Sequence, residues 1–222
     1  MKNPSEIFKE QKFIKVENFI DENLANFLYE YIKLEAIRCD NLQRIIGKEN
    51  VDKDIWGSFD DGHIKNAFSR YGDLTFDTLV KVCNDRMNQA TGLKLITEYS
   101  YHRLYVKGCD MSRHKDRASC EISVTLCLGY DTSNVEDKNY QWPMWIKSDD
   151  GIETPIYLNP GDAIIYRGYD LEHWREEFLG LNHAQVFLHY NDEKGNFNIE
   201  NDSRPALGLP DEYKKEKYRL VY

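Results

Sequence analysis

His114-Lys115-Asp116 sets an imidazole and a carboxylate one residue apart, and His173 offers a second imidazole further along the chain. In an extended segment side chains repeat every two residues, which puts His114 and Asp116 on one face. His173 closes the run Gly161-Asp-Ala-Ile-Ile-Tyr-Arg-Gly-Tyr-Asp-Leu-Glu-His173-Trp-Arg175, a turn signal followed by an apolar strand-like stretch. Two neutral imidazoles and one carboxylate form the facial triad that holds non-haem Fe(II) and leaves positions open for a co-substrate and O2. A lone H-x-D would mean little, because most histidines are satisfied by ordinary hydrogen bonds. Zinc remains an alternative on ligand type, but the sulfur-rich pattern of structural zinc and the H-E-x-x-H helix of a zinc hydrolase are both absent.

The elements that must position these ligands fall into two textures. The first third reads mainly helical. Lys12-Phe-Ile-Lys-Val16 is a short strand candidate, and Asp21 caps a predicted helix carrying Leu24, Phe27, Leu28, Tyr31 and Ile32 on its apolar stripe. A second helix is predicted over 73–91, with Phe76, Leu79, Val80, Cys83 and Met87 inward and Gly92 as terminator. Between them, Trp56-Gly-Ser-Phe-Asp-Asp-Gly-His63 is turn-rich and polar, so the 48–72 segment is expected to be a loop covering a site. From about residue 93 the chain is β-prone. Leu93–Tyr105, Glu121–Leu128, Tyr140–Ile146, Thr154–Leu158, Asp162–Tyr166 and His183–Tyr190 are strand candidates separated by signals such as Asn159-Pro-Gly-Asp162. Helices in front and short strands behind, without βαβ alternation, predict an α+β fold. Its core is a double-stranded β-helix (jelly roll), with the N-terminal helices packed on one sheet.

There is no internal repeat, so the 222 residues are read as one domain. Within it, 1–92 form a mostly helical cover, 93–191 the jelly-roll core and 192–222 a polar tail expected to pack loosely outside. A chain of this size buries about 70–75% of its unfolded surface and needs no disulfides. Its five scattered cysteines form no C-x-x-C pair and read as free thiols, Cys120 and Cys127 as small core residues. With 29 basic and 38 acidic residues, the net charge of −9 argues against a general nucleic-acid or anionic-membrane binder. No apolar run reaches the roughly 20 residues of a transmembrane helix, and Met1-Lys-Asn-Pro-Ser5 does not lead into a signal-peptide core. A soluble cytoplasmic protein is expected.

Three segments together carry a family resemblance: Tyr101-His-Arg-Leu-Tyr-Val-Lys-Gly108, Ser112–Thr125 around His114 and Asp116, and Asn159-Pro-Gly-Asp-Ala-Ile-Ile-Tyr166 up to His173. They resemble the Fe(II)/2-oxoglutarate dioxygenase superfamily, closest in pattern to its prolyl 4-hydroxylase-like members, over roughly residues 95–190. The resemblance implies Fe(II) on His114, Asp116 and His173, with 2-oxoglutarate and O2 as co-substrates converted to succinate and CO2 as a C–H bond is hydroxylated. It also implies a cation for the far carboxylate of 2-oxoglutarate, because a buried carboxylate without a partner is very costly. Family members usually carry Arg or Lys at the start of the last core strand, where this chain has His183. Arg175 has a permanent charge and stands first among the replacements, then Tyr105 and Gln185, then His183 and Arg103. Ser123 and Thr125 would reach the co-substrate if their face is inward, and Glu121 could support a ligand histidine. Trp142, Trp145 and Trp174 read as core or wall, and His63 and His102 as structural or exposed.

The leading expectation is a hydroxylase acting on a peptidyl residue, with small-molecule substrates equally compatible with the core. The alternative is a catalytically degenerate metal-binding jelly roll, favoured by the missing cation at 183. A cupin-like isomerase or lyase would use more histidines than this pattern supplies.

Overall fold

A computed structural model describes residues 2–197 and 199–214. Helix α1 (Pro4–Gln11) begins with Asn3 and Glu6 in a reciprocal cap. Strand β1 (Phe13–Val16) leads to α2 (Glu22–Ile46), where the Asp21 side chain accepts the Asn23 N–H. Asp21 is the cap the sequence predicts, but the stripe it predicts is shifted. Ala25, Leu28, Ile32, Ala36 and Cys39 face the core, while Leu24 and Phe27 are exposed.

The 48–72 segment is not a loop. After a short α3 (Lys53–Trp56), β2 (Ser58–Asp61) and β3 (Ile64–Tyr71) form a strand pair built into a sheet. The predicted helix at 73–91 is two, α4 (Leu74–Val82) and α5 (Asn84–Thr91), broken at Cys83. Next come β4 (Leu95–Val106), β5 (Met111–His114), β6 (Ile122–Asp131), β7 (Met144–Lys147) and β8 (Glu153–Ile156). Strands β9 (Ala163–Tyr166), β10 (Glu172–Arg175) and β11 (Asn182–Asp192) complete the order.

The strands form two antiparallel sheets: β1-β9-β6-β11-β4-β3-β2 and β5-β10-β7-β8. Period-two alternation splits the large sheet into a polar face and a drier one, the latter interrupted at β4 by buried Ser100 and His102, which meet Asp77 and Glu35 of the helices. On the dry face Val124, Leu126, Leu128, Val186 and Leu188 share one buried cluster with Leu28 and Ile32 of α2 and Phe76 and Val80 of α4. On the other face Cys127, Ile164 and Tyr166 pack with Met144 and Ile146 of the small sheet. That second face also carries Ser123, Thr125, Gln185, His189 and Arg103, all buried. Polar side chains between two sheets are expensive unless they are hydrogen-bonded. Among the described residues no helix is long and apolar enough to cross a membrane, and all five cysteines are free and buried.

The tail is not loose where it is described; residues 198 and 215–222 lie outside the described residues. Arg204 is fully buried, 3.0 Å from Asp77, and donates to the backbone carbonyls of Glu98 and Leu209. Asp202 accepts from the Tyr71 hydroxyl and from Arg117, and its N–H donates to Glu98. Removing one partner of a buried ion pair leaves the other charge stranded, so Arg204→Ala is expected to cost about 3–5 kcal/mol in denaturant unfolding. Burial pushes the Glu98 carboxyl up to about 8, although the Asp202 N–H opposes the shift. A raised folded pKa favours the neutral form, so its contribution is full below about pH 4.3 and is lost as pH rises through 8. Glu98→Gln is expected to flatten that decline in stability curves measured between pH 5 and 9.

Candidate metal centre

Antiparallel pairing of β10 with β5 places His173 directly opposite His114, with ring centroids 4.2 Å apart. Strand β5 ends at His114, so Asp116 is positioned by the loop beyond it rather than by strand alternation. Its N–H donates to the Gly168 carbonyl at 2.9 Å. Asp116 Oδ1 then lies 3.7 Å from His114 Nε2 and 3.5 Å from His173 Nε2. One ligand atom from each of the three residues falls within 4.8 Å of the others.

Each ligand is held by its far side. His114 Nδ1 lies 2.8 Å from the Ser112 carbonyl, and His173 Nδ1 3.0 Å from the Leu171 carbonyl. A carbonyl only accepts, so each Nδ1 carries the proton and each Nε2 presents its lone pair toward Asp116. The Ser123 hydroxyl lies 2.9 Å from Asp116 Oδ2 and 3.0 Å from His189 Nδ1. Burial alone would raise the Asp116 carboxyl, but the neighbouring His173 and His189 rings and the Ser123 hydroxyl outweigh it and hold it at about 2. His114 is lowered, first by burial, then by His173 and at longer range by His63 on the β2–β3 turn. His189, buried, is pushed down to about 4. The cluster therefore sets two imidazoles, each turned with Nε2 toward Asp116, beside a carboxylate that is ionised at neutral pH.

Compared with solved structures, the chain superimposes on a prolyl-4-hydroxylase from Pseudomonas putida over 85% of its length and 96% of that protein, with TM-score 0.59 and 14% identity. The HygX protein of Streptomyces hygroscopicus, solved with nickel and 2-oxoglutarate bound, gives TM-score 0.60 at 10% identity, covering 90% of this chain and 95% of that one. The prolyl hydroxylase of Trichoplax adhaerens, solved with a hypoxia inducible factor peptide, gives 0.52 at 15%, covering 86% and 88%. This is the fold of the 2-oxoglutarate and Fe(II) oxygenases. No protein-family model and no curated protein matches the sequence.

Within this oxygenase fold the other residues singled out from sequence divide into two groups. Arg175, Tyr105, Gln185 and His183 converge. Arg175 and His183 are buried, and Tyr105 and Gln185 are wholly so. The Arg175 guanidinium lies over the Trp142 ring at 4.5 Å and donates from Nη1 to the Trp142 carbonyl. No carboxylate of the described residues pairs with it. Its Nε, His183 Nδ1 and both amide atoms of Gln185 are buried without a hydrogen-bond partner among the described residues. Burial, and then the Arg175 charge, keeps His183 neutral. Arg103 is the exception. Both its Nε and Nη2 are spent on Asp61, and its Nη1 donates to the Tyr105 hydroxyl. Tyr101 also donates to Asp61, which ties the β2–β3 turn to the sheet.

Two roles, those of Ser123 and Gly168, are not readable in the sequence, whereas Trp142 is the wall residue expected. Glu121 bonds the Asp192 N–H and Arg167, so Ser123 is what supports a ligand, and the ligand is Asp116 rather than a histidine. Trp142 is a wall beside Arg175, whereas Trp145 and Trp174 stack on each other away from it. Gly168 carries no motif, yet a Cβ there would run into the Asp116 carboxylate and the Ser123 hydroxyl. Ser123→Ala and Gly168→Ala are each expected to weaken divalent-metal binding about ten- to a hundredfold, as outer partners of metal ligands do. Isothermal titration with Co(II), alongside a thermal melt, separates that loss from unfolding.

Proposed function

We propose that the chain is an Fe(II)- and 2-oxoglutarate-dependent dioxygenase that hydroxylates a peptidyl residue, as prolyl hydroxylases do. Its two sheets would form the faces of a double-stranded β-helix. The observation that carries this reading is the Arg175 guanidinium, buried with its Nε unpartnered two residues beyond His173. A buried cation without a counter-charge is unfavourable by itself, and a ligand carboxylate in bidentate contact would satisfy it.

The residues fit the group. His114, Asp116 and His173 would hold Fe(II), and Arg175 the far carboxylate of 2-oxoglutarate, with Gln185, Tyr105 and neutral His183 offering further hydrogen bonds. Bound there, Fe(II) with 2-oxoglutarate and O2 supplies the oxidant that hydroxylates a C–H bond and leaves succinate and CO2. The protein's part is positional. Ser112 and Leu171 carbonyls fix the two rings, Ser123 fixes the carboxylate, and Trp142, Tyr105 and Phe178 keep water from the Arg175 end. His114 is 38% exposed at its side chain, so the substrate approaches on that side, beside the β2–β3 turn. Peptide hydroxylation draws support from the shared fold with a prolyl hydroxylase solved with a peptide.

The competing reading, a metal-binding module without turnover, rests on His183 standing where a cation is expected. Arg175 reaching the same cluster from the neighbouring sheet weighs against it. Succinate formation from 2-oxoglutarate in air with added Fe(II) decides the matter. Wild type is expected to turn over slowly even without its prime substrate, and His114→Ala not at all. Arg175→Met is expected to raise the 2-oxoglutarate requirement at least about a hundredfold, the equivalent of roughly 3 kcal/mol. Iron binding with no succinate would leave the module reading standing. If turnover occurs but proline-containing peptides fail to stimulate it, hydroxylation of peptidyl proline is wrong.

A further inference from the structure

Asp116 has two oxygens, and they face two different sets of donors. Oδ1 is the atom near His114 and His173. Oδ2 is turned the other way, toward Ser123. On that side one Asp116 oxygen, the Cys120 thiol and a His189 ring nitrogen also lie within 4.8 Å of one another. Cys120 and His189 are both buried, and they come from separate elements, the single turn at Ala118–Cys120 and strand β11. The Ser123 hydroxyl sits among them, 3.0 Å from His189 Nδ1, and offers an oxygen as a fourth donor.

We propose that this cluster is a second metal site, made by Asp116, Cys120 and His189 with Ser123 beside them, and that it takes a borderline-soft divalent cation of the Zn(II) type. One sulfur, one imidazole nitrogen and oxygen donors suit such an ion, whereas Mg(II) or Ca(II) would want oxygen alone. The Asp116 carboxylate then bridges two ions, the arrangement by which two-metal sites hold their ions a few ångströms apart. Binding displaces the thiol proton to solvent, leaving Cys120 as a thiolate, with no change of oxidation state.

The surrounding charges accommodate a cation. The nearest positive group, Arg117, donates to the Tyr99 hydroxyl at 3.3 Å and to Asp202 at 2.8 Å, so Asp202 offsets its charge. Tyr99 in turn lies 2.9 Å from the Cys120 sulfur and can donate to a thiolate. Without an ion, the same groups form a closed hydrogen-bond cluster through Ser123. The site is therefore compatible with either state, and filling it exchanges the Ser123 bond to Asp116 for a metal bond.

Absorption during Co(II) titration of the metal-free protein tests this, because a cysteine ligand adds an intense near-ultraviolet sulfur-to-cobalt band that a site of two histidines and one aspartate cannot give. Wild type is expected to bind two equivalents and to show that band with one of them. Cys120→Ser should lose the band and keep one equivalent with its visible transitions. His114→Ala, which strips the first site, should keep the band. A single equivalent without a sulfur band in wild type overturns the proposal, as does a band that survives in Cys120→Ser. The inference shares Asp116 with the oxygenase reading but stands apart from it. A missing sulfur band alongside succinate formation removes only the second site, and a band without succinate removes only the oxygenase.

Discussion

The pairing of β10 against β5 is the contact on which the site depends. It sets two imidazoles face to face from strands that are far apart in the chain. The carboxylate comes to them by a different route, through one backbone hydrogen bond from Asp116 to Gly168. Because residue 168 has no side chain, the loop carrying Asp116 can lie against the segment that leads into β10. All three candidate ligands are thus referred to β10 and the segment that leads into it. Their far sides are then fixed by two carbonyls and one hydroxyl, which choose the tautomers before any ion arrives.

The two faces of the seven-stranded sheet divide the labour. One face carries aliphatic residues against α2 and α4 and supplies the burial that holds the molecule together. The other carries buried histidines, Arg103 and Gln185 among its tyrosines, polar groups that need partners in place of water. Several are satisfied within the protein: Arg103 by Asp61, Ser123 by Asp116 and His189, Thr125 by Tyr166. Those around Arg175 are not. The contrast between a satisfied region and an unsatisfied one, on a single surface, marks where a polar ligand belongs.

Much of the site was legible because its chemistry resides in residue types. His114, Asp116 and His173 stand out as candidate ligands by their chemistry and spacing, and the fold brings them together; Arg175 stands out by a charge close to one of them. Gly168 could not be read, since its role is the absence of an atom against a residue distant in sequence. The β2–β3 pair was hidden because the edge strand β2 is Ser-Phe-Asp-Asp and β3 opens Ile-Lys-Asn, and polar edges look like loops. On α2 the exposed Leu24 and Phe27 blurred the stripe that Ala25, Leu28 and Ile32 turn inward. The tail read as loose because its charges suggest solvent. Arg204 and Asp202 instead spend theirs inside the fold, on Asp77, Tyr71 and Arg117.

Strand β10 is only four residues long, yet it is paired on both sides, with β5 and with β7. It carries His173 and Arg175 on the same face, two residues apart. The separation between them is then a property of the extended backbone, about 6.6 Å along the strand. Trp174 between them pairs with Trp145 of β7, while on the β5 side His173 faces His114 and Arg175 faces Met111 across a register shift. On the proposed reading the strand would act as a ruler, with a metal ligand at one end and a positive charge at the other. A diacid too short would leave the guanidinium unmet, and one too long would have to bend to fit. The choice of co-substrate length would in this sense be written into main-chain geometry rather than into the shape of any one side chain.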